Sequence, residues 1–260
     1  MRRARARLAL ALAALVAGVA LAQERPIPAG ELKSGSAFLG SDLRALQNDD
    51  FANPGMLWVE RGEKLWSEPA GKKSLACTGC HKDQSMRGVA ASYPKIDRAS
   101  GKLVNLEDRI NFCRTDRMGA GPLRYESDEL LALTAYVARQ SRGLPIAARI
   151  DGAARAHLEA GWVSYHQRRG QMNLSCAHCH DAQWGKRLLS ETISQGHPNA
   201  YPAYRLEWQT IGSLQRRIRA CLSGIRAEML PYGSPEYLDL ELYLVWRAQG
   251  LPIETPGVRR

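Results

Sequence analysis

The stretch Cys77-Thr78-Gly79-Cys80-His81 returns as Cys176-Ala177-His178-Cys179-His180, and both copies have the pattern CxxCH. This spacing is typical of a c-type haem site, because each thiol can form a thioether with one vinyl group of the porphyrin. The adjacent histidine then reaches the iron as an axial ligand. We therefore predict two covalently bound haem c groups, attached through Cys77, Cys80, Cys176 and Cys179 and ligated by His81 and His180.

A zinc site built from paired CxxC motifs is the alternative reading of the same cysteines. Zinc does not need a histidine directly after the second cysteine, yet both copies have one. The sequence therefore favours haem.

An internal repeat extends well beyond the two CxxCH stretches, which lie 99 positions apart. The segment 109–113 (RINFC) matches 217–221 (RIRAC) at an offset of 108, and 143–146 matches 250–253, both GLPI, at an offset of 107. A fixed order with a drifting offset is typical of tandem duplication followed by loop insertions.

Helix signals recur at equivalent places in the two copies. Ser127 and Ser234 are N-cap residue types that precede apolar positions at helical spacing, and a GLPI segment ends each helix. Amphipathic patterns also precede both CxxCH stretches, and no segment shows sustained strand alternation. We predict an all-α protein of two tandem cytochrome c-like domains. The expected boundaries are an N-terminal extension over residues 23–48, a first domain over 49–148 and a second, catalytic domain over 149–260.

The N-terminus resembles a secretory signal peptide. Residues 1–22 combine four arginines, an apolar run and an A-x-A cleavage site at Ala20-Leu21-Ala22. Its removal lowers the formal charge from +10 to +6. We therefore expect export to an oxidising compartment such as the bacterial periplasm. No later segment resembles a membrane span, and no nucleic-acid motif accompanies the positive charge, which favours an acidic protein or a small anion as partner.

Two cysteines remain outside the haem motifs. Cys113 and Cys221 occupy matched positions in the two copies, where a cytochrome c usually carries its distal ligand. A disulfide between them is one possibility in an exported protein. Distal thiolate ligation of both irons is the more economical hypothesis, with Met86, Met118, Met172 and Met229 as rival ligands.

The segment from Arg217 through Cys221 to Tyr232-Gly233-Ser234-Pro235-Glu236-Tyr237 resembles the active-site region of the SoxA family of dihaem cytochromes. The resemblance covers essentially the whole mature chain and includes both haem motifs and both extra cysteines. It implies His81/Cys113 and His180/Cys221 ligation, with Cys221 as a catalytic persulfide and Arg217 as the residue that binds and orients the substrate. It also implies an L-cysteine S-thiosulfotransferase that joins thiosulfate to a SoxYZ-like carrier and passes electrons to a SoxX-like monohaem cytochrome.

Charge around Cys221 agrees with an anionic substrate. Thiosulfate is a dianion, and a guanidinium can hold a sulfonate through forked hydrogen bonds. Four arginines lie near Cys221 in the sequence: Arg216, Arg217, Arg219 and Arg226. On a helix, only Arg217 lies one turn from Cys221 on the same side. Two alternatives remain open, an electron-transfer dihaem cytochrome without a substrate and a dihaem peroxidase.

Overall fold

The computed structural model describes residues 25–82 and 85–260. The predicted signal peptide lies outside the described residues. Within the described ranges, no helix has the length and apolar character needed to cross a membrane.

The described part of the chain is mostly helical, and its three sheets are small. The helices are α1 (Ser41–Asn48), α2 (Met56–Ser67), α3 (Leu106–Phe112), α4 (Asp128–Arg139), α5 (Ala154–His166), α6 (Cys176–His180), α7 (Leu214–Gly224) and α8 (Pro235–Arg247). The strands are β1 (Lys95–Ile96), β2 (Leu103–Val104), β3 (Arg187–Leu188), β4 (Glu191–Thr192), β5 (Ala203–Arg205), β6 (Thr210–Gly212) and β7 (Gly257–Arg259). Strands β1 and β2 form one hairpin, β3 and β4 a second, and β5 lies between antiparallel β6 and parallel β7. Sequence analysis predicted no strands, because two or three residues are too few to show alternation.

Each half is built on a closely packed helix pair, α2 with α4 and α5 with α8. A glycine makes each crossing possible. A Cβ on Gly62 would lie 2.1 Å from the carbonyl oxygen of Ala132, and one on Gly161 would lie 2.1 Å from that of Asp239. The two contacts are equivalent in the repeat. The structure confirms two tandem cytochrome c-like domains within an all-α fold class.

The predicted cap positions are correct at both terminal helices. The Ser127 hydroxyl accepts a hydrogen bond from the Leu130 amide at 3.3 Å. Ser234 is also the N-cap residue of its helix, and Pro235 occupies the first turn, but the Ser234 side chain makes no cap hydrogen bond. The fixed φ of Pro235 therefore favours the start of α8, where the serine side chain does not.

Two local insertions explain the drifting offset of the repeat. The β3–β4 hairpin lies between the second CxxCH stretch and the segment that matches at an offset of 108, and it has no counterpart among the described residues of the first half. The offset between the two copies falls from 108 to 107 at a π-helical turn of the first half, Cys113–Met118. A π turn accommodates one extra residue within a helix. Consequently Gly119, with φ 65°, is equivalent to Arg226, with φ 56°.

The two GLPI segments pair with each other around a local two-fold axis. The amide of Gly143 donates to the carbonyl of Ile253 at 2.9 Å, and the amide of Gly250 donates to that of Ile146 at 3.0 Å. The amides of Ile146 and Ile253 likewise donate to Leu251 and Leu144, at 2.9 and 3.0 Å. These four bonds fix the relative position of the two halves.

The described part of the N-terminal extension packs on the second half of its own chain. The backbone amide of Lys33 donates to Gln195 Oε1 at 2.7 Å, and the side-chain amide of Asn199 donates to Ser34 Oγ at 3.0 Å. Helix α1 lies against β7. This segment therefore bridges to elements beside the second CxxCH stretch.

Candidate haem and substrate site

The second CxxCH stretch forms the short helix α6, which Ser175 caps. The amide of Ser175 donates to Nδ1 of His178 at 3.1 Å, and the two side chains are 2.6 Å apart. His178 thus completes a capping box, which is a structural role. The turn places Cys176, Cys179 and His180 at one end of the helix pair.

His180 is oriented by a backbone hydrogen bond. Its Nδ1 lies 2.7 Å from the carbonyl oxygen of Ser194, and because a carbonyl only accepts, this nitrogen carries the proton. Nε2 is therefore the nitrogen available to a metal. Gly196, at φ 74°, allows this packing, since a Cβ there would lie 2.9 Å from His180 Cγ.

Cys221 lies on α7 with its thiol directed to His180. Its side chain is exposed, and its sulfur forms a hydrogen bond with His180. Desolvation raises the pKa of this thiol, but Arg217, the hydrogen bond and charge of His180, and Arg205 together lower the pKa from 9.0 to about 7. A large thiolate fraction at neutral pH favours both iron ligation and sulfur nucleophilicity.

The donor set of the second half fits a covalent haem. Cys176 and Cys179 are free thiols at the thioether spacing, and the available Nε2 of His180 faces the sulfur of Cys221. No disulfide joins Cys113 and Cys221, and all six cysteines are free. No cluster of three or more His, Cys, Asp or Glu ligands that could hold a metal ion occurs within residues 25–82 and 85–260.

The corresponding cysteine of the first half, Cys113, is less exposed than Cys221. Cys77–Gly79 form a 3-10 turn, and the His81 ring packs on Trp66 with centroids 5.4 Å apart. Cys113 begins the π-helical turn, and its charge interacts with that of Cys80. Burial raises the pKa of Cys113, despite the opposing effect of Arg109. The two distal cysteines therefore differ in thiol acidity.

An arginine precedes each distal cysteine by one turn, but the two arginines have different partners. In the first half, Arg109 forms a salt bridge with Asp97 and donates to the hydroxyl of Tyr93 at 3.2 Å. The bond from Arg109 holds the pKa of Asp97 well below its usual range. Among the described residues, Arg217 forms no salt bridge. The charge of Cys221 has the largest effect on Arg217 and raises the pKa of its guanidinium.

Arg205 explains this difference, and sequence analysis missed it. At the offset of 108, Arg205 takes the place of Asp97, so a second cation stands where the first half has the counter-ion. Arg205 is buried, donates to Glu207 Oε1 at 2.8 Å and lies over the Trp208 ring at 5.1 Å. Aligning the two copies through the tyrosine–proline pairs at 93–94 and 201–202 would have revealed the exchange.

The other predicted arginines have structural partners. Arg216 lies over the Trp208 ring at 4.3 Å, and Arg219 lies over Tyr232 at 4.5 Å and donates to the carbonyl of Leu230. Arg226 donates to Gln171 Oε1 at 3.2 Å. Nearness in the sequence therefore does not place Arg216, Arg219 and Arg226 at the thiol: Arg217 and Arg205 are the arginines that act on Cys221.

The tandem fold and the CxxCH centres define a two-domain c-type cytochrome with covalently bound haem c. A family model described as SoxA/TsdA, cytochrome c domain, matches residues 61–146 and 160–253, and the chain belongs to this SoxA family.

Relatives support the same assignment. The chain is 40% identical to the L-cysteine S-thiosulfotransferase subunit SoxA of Rhodovulum sulfidophilum, over 88% of this chain and 80% of the relative. The subunit of the same name from Pseudaminobacter salicylatoxidans is also 40% identical, over 90% and 82%. A solved structure described as SoxXA from P. pantotrophus matches with a TM-score of 0.85 and 36% identity, over 88% of this chain and 87% of that chain.

Proposed function

We propose that this chain is the catalytic subunit of a periplasmic L-cysteine S-thiosulfotransferase. It joins thiosulfate oxidatively to a cysteine of a SoxYZ-like carrier protein and passes two electrons through a SoxX-like monohaem cytochrome. The observation that carries the proposal is the contrast between Arg217, which forms no salt bridge among the described residues, and Arg109, which is bound to Asp97.

Two haem c groups complete the proposed site. Cys77 and Cys80 would hold the first and Cys176 and Cys179 the second, with His81/Cys113 and His180/Cys221 as axial ligands. The bound haem would supply an electron acceptor beside Cys221. Thiolate donation favours ferric iron, so we expect potentials below those of His/Met cytochromes.

The proposed reaction is balanced in two steps. Cys221 thiolate and thiosulfate form a sulfur–sulfur bond, giving Cys221–S–S–SO₃⁻ and releasing two electrons, which the bound haem would accept one at a time and pass to the SoxX-like cytochrome. The carrier thiolate then attacks the inner sulfur of the thiosulfate unit, and Cys221 thiolate leaves. If Cys221 is a persulfide, its terminal sulfur performs the same steps.

Arg217 and Arg205 have different roles in the proposed site. The guanidinium of Arg217 can hold the sulfonate oxygens through forked hydrogen bonds while its charge favours the Cys221 anion. Arg205 adds positive potential from the side occupied by a carboxylate in the first half. Its pairing with Glu207 keeps it in place and moderates that charge.

The test uses the heterodimer with the SoxX-like cytochrome, supplied with thiosulfate and carrier. Mass spectrometry of the carrier should show one added sulfane sulfur and sulfonate on its cysteine, together with haem reduction, and Cys221→Ala should abolish the adduct. Haem reduction by other donors without any adduct would favour the electron-transfer alternative. Peroxide turnover without adduct would favour a peroxidase.

Intact mass of the exported holoprotein tests the cofactor count and location. We expect two haems, loss of residues 1–22 and, for the persulfide form, one additional sulfur on Cys221. A single haem or a retained leader would contradict those parts of the proposal.

A further inference from the structure

Four large apolar side chains are exposed on segments that adjoin α7 or the charged residues that act on Cys221 and Arg217. We call this set the apolar rim: Met172 (55% exposed), Leu188 (57%), Leu206 (40%) and Met229 (44%). Contiguous exposed apolar groups bounded by charge are typical of interaction sites.

One backbone contact and two sequence neighbourhoods place three members of the rim near the site. Met172 donates its backbone amide to the carbonyl of Ile225 at 3.4 Å, just beyond the end of α7, and Met229 follows in the same segment. Leu206 lies directly between Arg205, whose charge acts on Cys221, and Glu207, whose charge acts on Arg217.

The β3–β4 hairpin brings Leu188 to the same place. Leu188 is the cross-strand partner of Glu191, so the two side chains share one face of the hairpin. The charge of Glu191 acts on Arg217. This hairpin is an insertion without a counterpart among the described residues of the first half, and it supplies the fourth member of the rim.

The first half serves as an internal control for exposure. At the positions equivalent to Met172, Leu206 and Met229 it has Lys73, Arg98 and Pro122, all of them exposed. At these three positions the side chain is therefore apolar only in the half with the exposed cysteine. Packing cannot explain this difference, because the residues face solvent in both halves.

Backbone conformation gives a second, independent difference. Arg226 has a left-handed φ of 56° where the first half has Gly119. A non-glycine residue in this region is strained, and such residues persist where function requires the side chain. The exposed Arg226 guanidinium therefore adds a fixed positive charge beside Met172, through its bond to Gln171.

We propose that the apolar rim is the docking surface for the cysteine-bearing segment of the carrier protein, an inference that rests on the proposed function. The segment would be apolar beside its cysteine and acidic beyond it. The apolar part meets the rim, and the acidic part meets Arg226 and the exposed Arg187 on β3. The carrier thiol must reach exposed Cys221 past these residues, which makes the carrier the occupant we commit to.

The experiment measures carrier binding and turnover separately, with the intact heterodimer. The double variant Met172→Ser/Leu188→Ser should weaken carrier binding, measured by surface plasmon resonance, by about tenfold or more. The KM for the carrier should rise by a similar factor, while the KM for thiosulfate and the rate at saturating carrier stay near wild type. Leu57→Ser, at a residue 64% exposed on α2 in the first half, is the matched control and should change nothing.

Unchanged carrier affinity in the double variant would overturn the proposal. Loss of the SoxX-like cytochrome during size-exclusion chromatography of the double variant would also overturn it, because the rim would then belong to that interface. Weakened carrier binding supports the rim even if wild type forms no thiosulfonate adduct, and in that case the proposed function alone fails.

Discussion

Arg109 and Arg217 occupy the same place in the two halves, one helical turn before a cysteine, but in the part of the chain that the structure describes only Arg109 is bound to a carboxylate. The same helix position therefore stabilises the fold in one half and remains available to an anion in the other. Asp97 and Arg205, at equivalent positions in the adjoining hairpins, produce this difference.

The first prediction concerns Arg217. Arg217→Ala should lower turnover with thiosulfate and carrier by roughly two to three orders of magnitude, as expected for loss of a preorganised electrostatic group. Arg217→Lys keeps the charge but loses the planar fork and should retain part of the activity. Haem absorbance should be unchanged in both. Arg109→Ala is the matched control, and near wild-type turnover of Arg217→Ala would show that other groups hold the substrate.

The second prediction tests the exchange of Asp97 for Arg205. Arg205→Asp should give Arg217 the carboxylate partner that Arg109 has, and the KM for thiosulfate should rise by about tenfold or more, as for loss of one charge-assisted contact. Arg205→Lys should stay close to wild type. An equal rise in both variants would assign Arg205 to packing on Trp208 instead of to charge.

The third prediction concerns the two distal cysteines. Cys113→Ala should alter the spectrum of the first haem and leave appreciable turnover, because the anion site lies in the second half. Cys221→Ala should abolish turnover. Equal losses in steady-state assays of the two variants would contradict this division between the halves.

The fourth prediction concerns pH and a pair of acids between the halves. Burial raises the pKa of Glu107 from 4.5 to about 7, and burial together with the Glu107 charge raises that of Glu241. The folded state therefore retains protons that the unfolded chain releases above pH 4.5, so these groups reduce stability as pH rises towards 7. Glu107→Gln should raise the urea midpoint at pH 8 and have little effect at pH 4.5. Glu63→Gln, exposed on α2, is the control, and a gain independent of pH would contradict the protonation argument.

The fifth prediction concerns the helix crossings. Gly62→Ala and Gly161→Ala each place a methyl group 2.1 Å from a carbonyl oxygen, so both should destabilise by about 3 kcal/mol. Gly30→Ala meets no atom within 4 Å and should leave the thermal midpoint near wild type. Thermal unfolding of the three holoproteins measures the effect, and a small loss at only one crossing would show that the halves differ in rigidity.

Sequence predicted the elements that carry a motif or a helical pattern and missed the short strands, including the hairpins that occur in both halves. The CxxCH stretches, the terminal helices and Arg217 each have a local pattern, so the tandem cytochrome fold and one arginine of the candidate site were accessible. The importance of Arg205 depends on which residue it replaces across a hairpin of three-residue strands, and strands this short leave no periodic signal. Arg216 and Arg219 were equally basic in the sequence, but their stacking on Trp208 and Tyr232 depends on tertiary packing.

The pairing of the GLPI segments has a consequence for the origin of the chain. Its hydrogen bonds come in two equivalent pairs, so the same bonds would form between two separate copies of one half. Such a contact has the self-complementarity of an isologous dimer interface. A half-length ancestor would have carried everything this contact requires. Fusion of two copies then released each centre from having to match the other, so that one position could become Asp97 while its twin became Arg205.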